Sequence, residues 1–372
     1  MREIDSAIQR NFIRNIQNFS GIYRKCIKRR KGSMINSGKR IYKRIVVMLM
    51  ILSMVMMGAV STYASDKSLN SCSRYITVDG KKMHIVFYGG INENTKEFAD
   101  PEKTTLVMLP ALGVSSPNIY FKPIAESISS DFNVVVIEPF GYGLSDMTSS
   151  KRTVENINAE VNETLDTLGI NEVVLLVHSI SGVYGLNFVY DYPEKVKGFV
   201  AVDNTIFDEG LSEEMEMEQR YMLQEAQKFN ELRNSFSSVE DFQKAILENP
   251  EKYGATLPDV KGYHYTEEDK QEYIHAFSRS SNETIIDEIC QMDEALITIK
   301  DQKFPDNLPV LTMISKDNVD AMPAWETGHR KQLNLQTGKH DMFILEGSHY
   351  IWYTNLSEVV KHIYEWKDKN YL

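Results

Sequence analysis

Cysteine and tryptophan are the scarcest residues in this 372-residue sequence, with three of each. Three cysteines exclude a disulfide framework as the support of the fold. Cys26 lies in a basic leader, so Cys72 and Cys290 are the one pair that an oxidising compartment could join. The eight histidines are scattered, and neither a His-x-x-x-His spacing nor a paired-cysteine spacing occurs. Nothing therefore calls for a metal. No glycine-rich loop follows the first apolar strand, which removes the usual phosphate cradle and with it a nucleotide cofactor. Glycine (20) and proline (11) are too few for a collagen-like or low-complexity chain. Positive charge is also short, with 41 Lys+Arg against 52 Asp+Glu for a net of −11.

That net charge averages two unlike segments. Residues 1–64 hold 13 Lys/Arg and 2 Asp/Glu, so residues 65–372 carry a net of −22. An acidic body of this kind argues against nucleic acid and anionic surfaces as partners. Within the leader, Ile45–Val60 has one polar residue, Ser53, and follows Lys39, Arg40, Lys43 and Arg44. A basic flank before an apolar run reads as an export signal, either a cleaved signal peptide or a membrane anchor over residues 45–64. Small residues at Ala59, Ser61, Thr62, Ala64 and Ser65 supply a cleavage region, and the segment opening at Met34 has by itself the proportions of a signal peptide. The expectation is translation from Met34 and an extracytoplasmic body, secreted or anchored.

Past residue 65 the sequence alternates two patterns. Arg74–Val78 and Lys82–Tyr88 flank Asp79-Gly80, a dipeptide suited to a tight hairpin. Thr104–Leu109, Asn133–Ile137, Val173–Val177, Val196–Val202, Pro309–Ile314 and Met342–Leu345 are short, apolar and rich in β-branched residues, as strands buried on both faces must be. Helical patterns at Ile119–Ile128, Thr153–Leu168, Ile180–Tyr190 and Ser357–Lys367 lie between or after them. Strand alternating with helix predicts an α/β fold, a mostly parallel sheet with helices on both faces. The alternation breaks from about 207 to 305, where Glu213–Phe229, Val239–Leu247 and Glu267–Phe277 are amphipathic. Residues 207–304 hold 23 acidic and 10 basic side chains and read as a helical cap inserted after the sixth strand. The expected organisation is a leader (1–64), a first core part (65–206), the cap (207–305) and a second core part (306–372).

One strand-to-helix junction carries the chemistry. Val173–Val177 runs into His178-Ser179-Ile180-Ser181-Gly182, and a helix begins at once. A serine in so sharp a turn stands above the sheet, and the Ile180 N–H is an unsatisfied helix-terminal donor aimed at any oxyanion formed there. These residues resemble the nucleophile elbow of the α/β-hydrolase superfamily, usually G-x-S-x-G. Here Val177 and Ser181 replace both glycines. Three further segments match in the same chain order. Pro110-Ala111-Leu112-Gly113 follows the strand where the superfamily has its His-Gly-x-Gly loop, which implies Leu112 N–H as the second oxyanion donor. Glu138–Asp146 is similar to the family's glycine-rich turn ending in Ser-Asp. Glu346-Gly347-Ser348-His349 lies between the last strand and the last helix, where the family places its histidine.

The resemblance implies a Ser179–His349 pair completed by an acid. Asp317, the first carboxylate after the strand Pro309–Ile314, is the expected one; Asp203, after the strand before the cap, and Asp320 are the alternatives. It implies a serine hydrolase that transfers the acyl group of a carboxylic ester or related small-molecule substrate, without cofactor. Dehalogenase and epoxide-hydrolase versions of the fold use an aspartate nucleophile, so serine at 179 points away from both. An aminopeptidase similar to proline iminopeptidases is the alternative if the acidic cap attracts an ammonium group. A weakly catalytic ligand-binding receptor is the alternative if the departures at Val177 and Pro110-Ala111 misalign the serine. His178 reads as a spacer pointing away from Ser179.

Overall fold

The computed structural model describes residues 71–92 and 97–372. The leader, the apolar run and Met34 lie outside these residues. Among the described residues no helix is long and apolar enough to cross a membrane.

Strands β1 (Ser71–Val78) and β2 (Lys81–Tyr88) form an antiparallel hairpin. Its turn residues Asp79 and Gly80 have φ of 46° and 71°, the positive values that a two-residue hairpin turn needs. The chain then alternates through β3 (Thr105–Leu109), α1 (Pro117–Ile128), β4 (Asn133–Glu138), α2 (Val154–Leu168), β5 (Val173–His178), α3 (Ser181–Asp191) and β6 (Val196–Val202). Local signals set the ends: the Ser116 hydroxyl caps α1 ahead of Pro117, and α2 runs from a Thr153 cap to Gly169 at φ 68°.

Between β6 and β7 the chain adds no strand to the sheet. It forms α4 (Ser212–Asn234), α5 (Val239–Glu248), the short α6 (Pro250–Tyr253), α7 (Glu267–Arg279), α8 (Glu283–Cys290) and α9 (Met292–Thr298). The core resumes with β7 (Val310–Ser315), α10 (Lys316–Ala321), α11 (Pro323–Gln332), β8 (His340–Leu345) and α12 (Ile351–Asn370). The eight strands are ordered β1-β2-β4-β3-β5-β6-β7-β8, antiparallel in the first two pairings and parallel in the rest. Cys72 on β1 and Cys290 at the end of α8 are not joined to each other.

The strands alternate between two cores. Val107, Val135, Leu175 and Ala201 pack on one face, and Leu106, Val134, Leu176 and Val200 on the other. A strand apolar on both sides has no solvated face, which is why its sequence shows no polar alternation. Two elements differ from the sequence reading. α12 starts at Ile351 rather than Ser357, because non-helical backbone at Asn355 separates its first turn from the regular helix whose periodicity the sequence displays. The segment Ser315–Asp320, expected as a loop after the strand Pro309–Ile314, instead winds into α10, with α11 behind it, which changes where Asp317 points.

Candidate active site

Parallel strands bring their carboxyl ends to one edge of the sheet, and the loops after β3, β5, β6 and β8 gather there. Ser179 occupies the two-residue gap between β5 and α3 at φ 55°. A non-glycine residue in the left-handed region costs about 1–3 kcal/mol and persists only where its surroundings over-determine it. Here the Ser179 carbonyl accepts from Gly182 N (2.9 Å) and Thr205 N (2.8 Å), pinning the turn to its own helix and to the chain after β6. Gly182 is required by proximity, since a Cβ there would lie 2.5 Å from the Asn204 Cβ.

The two departures from the family pattern each have a structural answer. Val177 is accommodated from the opposing helix: a Cβ at Gly185 would stand 3.0 Å from Val177 Cγ1 and 2.8 Å from the Phe199 ring. The small residue normally found on the strand has its counterpart one turn into α3. Ser181 donates its hydroxyl to the Pro110 carbonyl, tying the start of α3 to the loop after β3. A glycine could not make that bond. The loop turns at Ala111–Val114, and among the described residues the Leu112 and Ile180 N–H groups have no protein acceptor. Both therefore remain open to an external oxyanion.

His349 Nδ1 lies 2.7 Å from Asp203 Oδ2. The Asp203 carboxylate is fully buried, while the His349 side chain is 27% exposed. Four donors converge on this carboxylate: Oδ1 accepts from Ser315 N (2.8 Å) and Trp325 Nε1 (2.9 Å), and Oδ2 from Asn318 Nδ2 (2.6 Å) and His349 Nδ1. An acceptor at Nδ1 places the imidazole proton there and leaves the Nε2 lone pair for a substrate proton.

The expectation of Asp317 as the acid partner is corrected. Asp317 and Asp320 are exposed, Asp317 in the first turn of α10 and Asp320 paired with Lys316 on the same helix. Neither bonds to His349. The cause is local: Ser315 caps α10 through Asn318 N, so the chain after β7 coils immediately and sends Asn318, not Asp317, to the histidine. Asp203 is instead held at φ 42°, which turns its side chain back over the sheet between β6 and β7.

His178 is more than a spacer. Its Nε2 lies 2.9 Å from the His349 carbonyl, an obligatory acceptor, so Nε2 carries the proton and Nδ1 accepts from Tyr120. Its ring sits 4.3 Å from that of His349. Burial first, then the neighbouring His349, holds the His178 pKa well below the usual imidazole value, keeping it neutral. Sequence reasoning also missed Asn318 and Trp325, whose partner lies more than a hundred residues away and leaves no local pattern.

The cap is joined to the core around this site. Glu288 on α8 accepts from Tyr142 and Tyr184 hydroxyls, each at 2.9 Å, and Gly113 N donates to the same Tyr142 oxygen at 3.3 Å. Asn118 reaches Glu272 of α7 at 2.6 Å, and Lys122 pairs with Asp269. Part of the cap's acidity is thus turned inward as anchors, while the remainder lies on solvated helix faces.

Among the described residues the Ser179 hydroxyl and His349 Nε2 have no protein partner and are not bonded to each other. Such contacts commonly tighten only in a substrate complex. The Bacillus subtilis protein YbdG, itself uncharacterised, is 26% identical over 34% of this chain and 36% of its own length. A cis-3-alkyl-4-alkyloxetan-2-one decarboxylase from Shewanella oneidensis is 26% identical over 36% of this chain and 39% of its length. The chain thus spans little more than a third of the length of the curated relatives it matches. The Cif epoxide hydrolase from Acinetobacter nosocomialis superposes with a TM-score of 0.57 at 16% identity, covering 85% of this chain and 96% of that one, a likeness of fold alone. Residues 104–344, more than half of the chain, match the alpha/beta hydrolase fold family, and the protein belongs to it.

Proposed function

We propose that the protein is a serine hydrolase that cleaves a carboxylic ester or related acyl substrate through Ser179, His349 and Asp203. The observation that carries this reading is the 2.7 Å contact between His349 Nδ1 and the fully buried Asp203, at the same sheet edge as a serine held in strained backbone. His349 Nε2 takes the Ser179 proton as Oγ attacks the carbonyl carbon. The oxyanion that forms is met by the Ile180 and Leu112 N–H groups, each such donor typically contributing about 2.7–4 kcal/mol. Collapse of the intermediate expels the alkoxide, which receives its proton from His349. Water repeats the sequence on the acyl-enzyme and releases the acid. Asp203 orients the imidazole and stabilises its cation without taking the proton.

The solved structures of similar fold include epoxide hydrolases and a haloalkane dehalogenase. Serine at 179 in place of a carboxylate supports acyl transfer over those reactions. The test is labelling with a fluorophosphonate combined with turnover of short p-nitrophenyl esters. Wild-type protein should be labelled at Ser179 and turn over the esters, and Ser179→Ala should do neither while keeping its melting temperature. A wild-type protein that does neither refutes the reading and favours the receptor alternative. Preferential cleavage of aminoacyl naphthylamides would replace the esterase with an aminopeptidase. We further propose that residues 45–64 export or anchor the body. N-terminal sequencing of the secreted or membrane fraction tests this, and a native peptide from residues 3–30 refutes the start at Met34.

A further inference from the structure

Two clefts of similar size, about 500 and 520 Å³, share Gly113 as a wall residue and differ in chemistry. The first includes Tyr350, which follows His349, together with Tyr120, Tyr273 and Tyr353. The second contains no residue of the histidine loop; its walls include Leu112 and the cap residues Met222, Ala226, Phe229, Ile285 and Ile289, with Tyr221 and Ser281 among its polar members. Neither cleft is lined by Ser179 or His349 themselves; Gly113, next to the Leu112 donor, is the wall they share, and acyl transfer distinguishes the two sides. The imidazole that takes the serine proton must hand it to the leaving oxygen, so the alcohol part of the substrate lies toward the histidine and the acyl chain away from it.

We propose, resting on the esterase reading above, that the natural substrate joins an apolar acyl chain to a non-anionic alcohol bearing an aromatic ring. The acyl chain lies in the cap cleft, whose methionine, phenylalanine and isoleucines offer adaptable apolar contact. Its charged wall residues, Glu225 and Lys228, pair with each other at the exposed rim. The alcohol lies in the tyrosine cleft. Tyr350 and Tyr353 stack at 5.0 Å with an interplanar angle of 13°, and Tyr120 meets Tyr350 edge-on at 6.1 Å, so the cleft is lined by a packed aromatic cluster. Among the described residues the hydroxyls of Tyr273, Tyr350 and Tyr353 have no hydrogen-bond partner and are free to bind ring substituents. Burial pushes the Tyr273 phenol up to about 12 and raises those of Tyr350 and Tyr353, so all three stay neutral. The one charged side chain lining this cleft, Asp259, is an exposed carboxylate, which disfavours an anionic alcohol.

The test uses esters whose leaving alcohols have matched reactivity: 2-phenylethyl, hexyl and 2-(4-carboxyphenyl)ethyl esters, each as acetate, butanoate and octanoate. The expected kcat/KM order is 2-phenylethyl over hexyl by about fivefold, with the carboxylated ester poorest and octanoate preferred to acetate. Met222→Trp should cost octanoate about tenfold or more relative to acetate without altering the alcohol preference. Tyr273→Ala should erase the phenylethyl preference without altering the acyl preference. Melting temperatures verify folding, and fluorophosphonate labelling of each variant reports the Ser179 chemistry separately. Labelled, active enzyme that shows no acyl-length dependence, prefers the hexyl or carboxylated alcohol, or responds to the two substitutions in the opposite arms overturns the proposal. Absence of both labelling and turnover refutes the esterase reading on which it rests.

Discussion

Replacing Asp203 by asparagine isolates the role of the acid, because the two residues have the same shape and the site fixes which way the amide must face. Asp203 Oδ1 is bound by the Ser315 main-chain N–H and the Trp325 indole, two groups that can only donate. The amide oxygen of the substituted side chain is therefore held there, and its NH₂ takes the place of Oδ2. Asn318 can answer by flipping its own amide. His349 can answer only by accepting at Nδ1, which moves its proton to Nε2 and removes the lone pair that the proposed mechanism uses as base. In a serine protease the same exchange lowers kcat on the order of 10,000-fold, equivalent to about 5.4 kcal/mol of barrier. Because every hydrogen bond is kept in number, the stability change should stay near 1–2 kcal/mol. Asp203→Ala is less informative, since it strands buried donors at about 1–3 kcal/mol each. The assay is kcat and KM for a short aryl ester beside the melting temperature, with Asp317→Asn and Asp320→Asn as controls. The expectation is a folded Asp203→Asn enzyme with kcat lowered by three to four orders of magnitude and KM little moved, while the controls stay within about twofold of wild type. Asp203→Asn within tenfold of wild type, or Asp317→Asn losing comparable activity, would refute the assignment.

Three further outcomes follow from the geometry. Gly185→Ala drives a methyl group against the Phe199 ring and Val177 Cγ1; it should destabilise by about 1–3 kcal/mol in urea denaturation, with partial recovery in the Val177→Ala, Gly185→Ala double variant. Ser181→Ala removes the bond to the Pro110 carbonyl; kcat should fall about tenfold or more as the Leu112 donor loosens, with KM and melting temperature little changed, and an unaltered kcat would show that the loop needs no such tie. Acidification should destabilise the fold through His178, whose native pKa lies below the unfolded value near 6.5. Between those two values the unfolded chain holds a proton that the native state lacks, so stability is complete above about pH 6.5 and falls by up to ~1.4 kcal/mol per pH unit below it. Burial also lowers the His329 pKa, so His178→Asn should reduce that slope without abolishing it in denaturation curves taken from pH 7.5 to 5, and an unchanged slope would place the titration elsewhere.

Legibility in the sequence followed the distance over which each feature is decided. Strands buried on both faces, the Asp79-Gly80 hairpin and the capped helices α1 and α2 depend on neighbours in the chain, and their patterns are readable directly. The shorter helices α8 to α11 were not, since each carries one to three turns and too few apolar repeats to establish a period. Val177 looked like a defect in the elbow because its compensating residue, Gly185, meets it only across the packed face of α3.

The sequence by itself determined the alternation that makes an α/β sheet, the serine at the β5–α3 junction and the histidine before α12, because order along a parallel sheet places successive loops at one edge. It could not choose among three aspartates. β6 lies one strand further than β7 from β8, yet the loops after both meet His349 at one sheet edge, so strand position does not decide and the choice rests on backbone direction at single residues. Positive φ at Asp203 turns its carboxylate under the imidazole, where Trp325, Asn318 and Ser315 N bind it; the immediate coiling of α10 sends Asp317 into solvent. Only the tertiary structure decides that, because the hydrogen bonds that over-determine a strained backbone come from residues more than a hundred positions away.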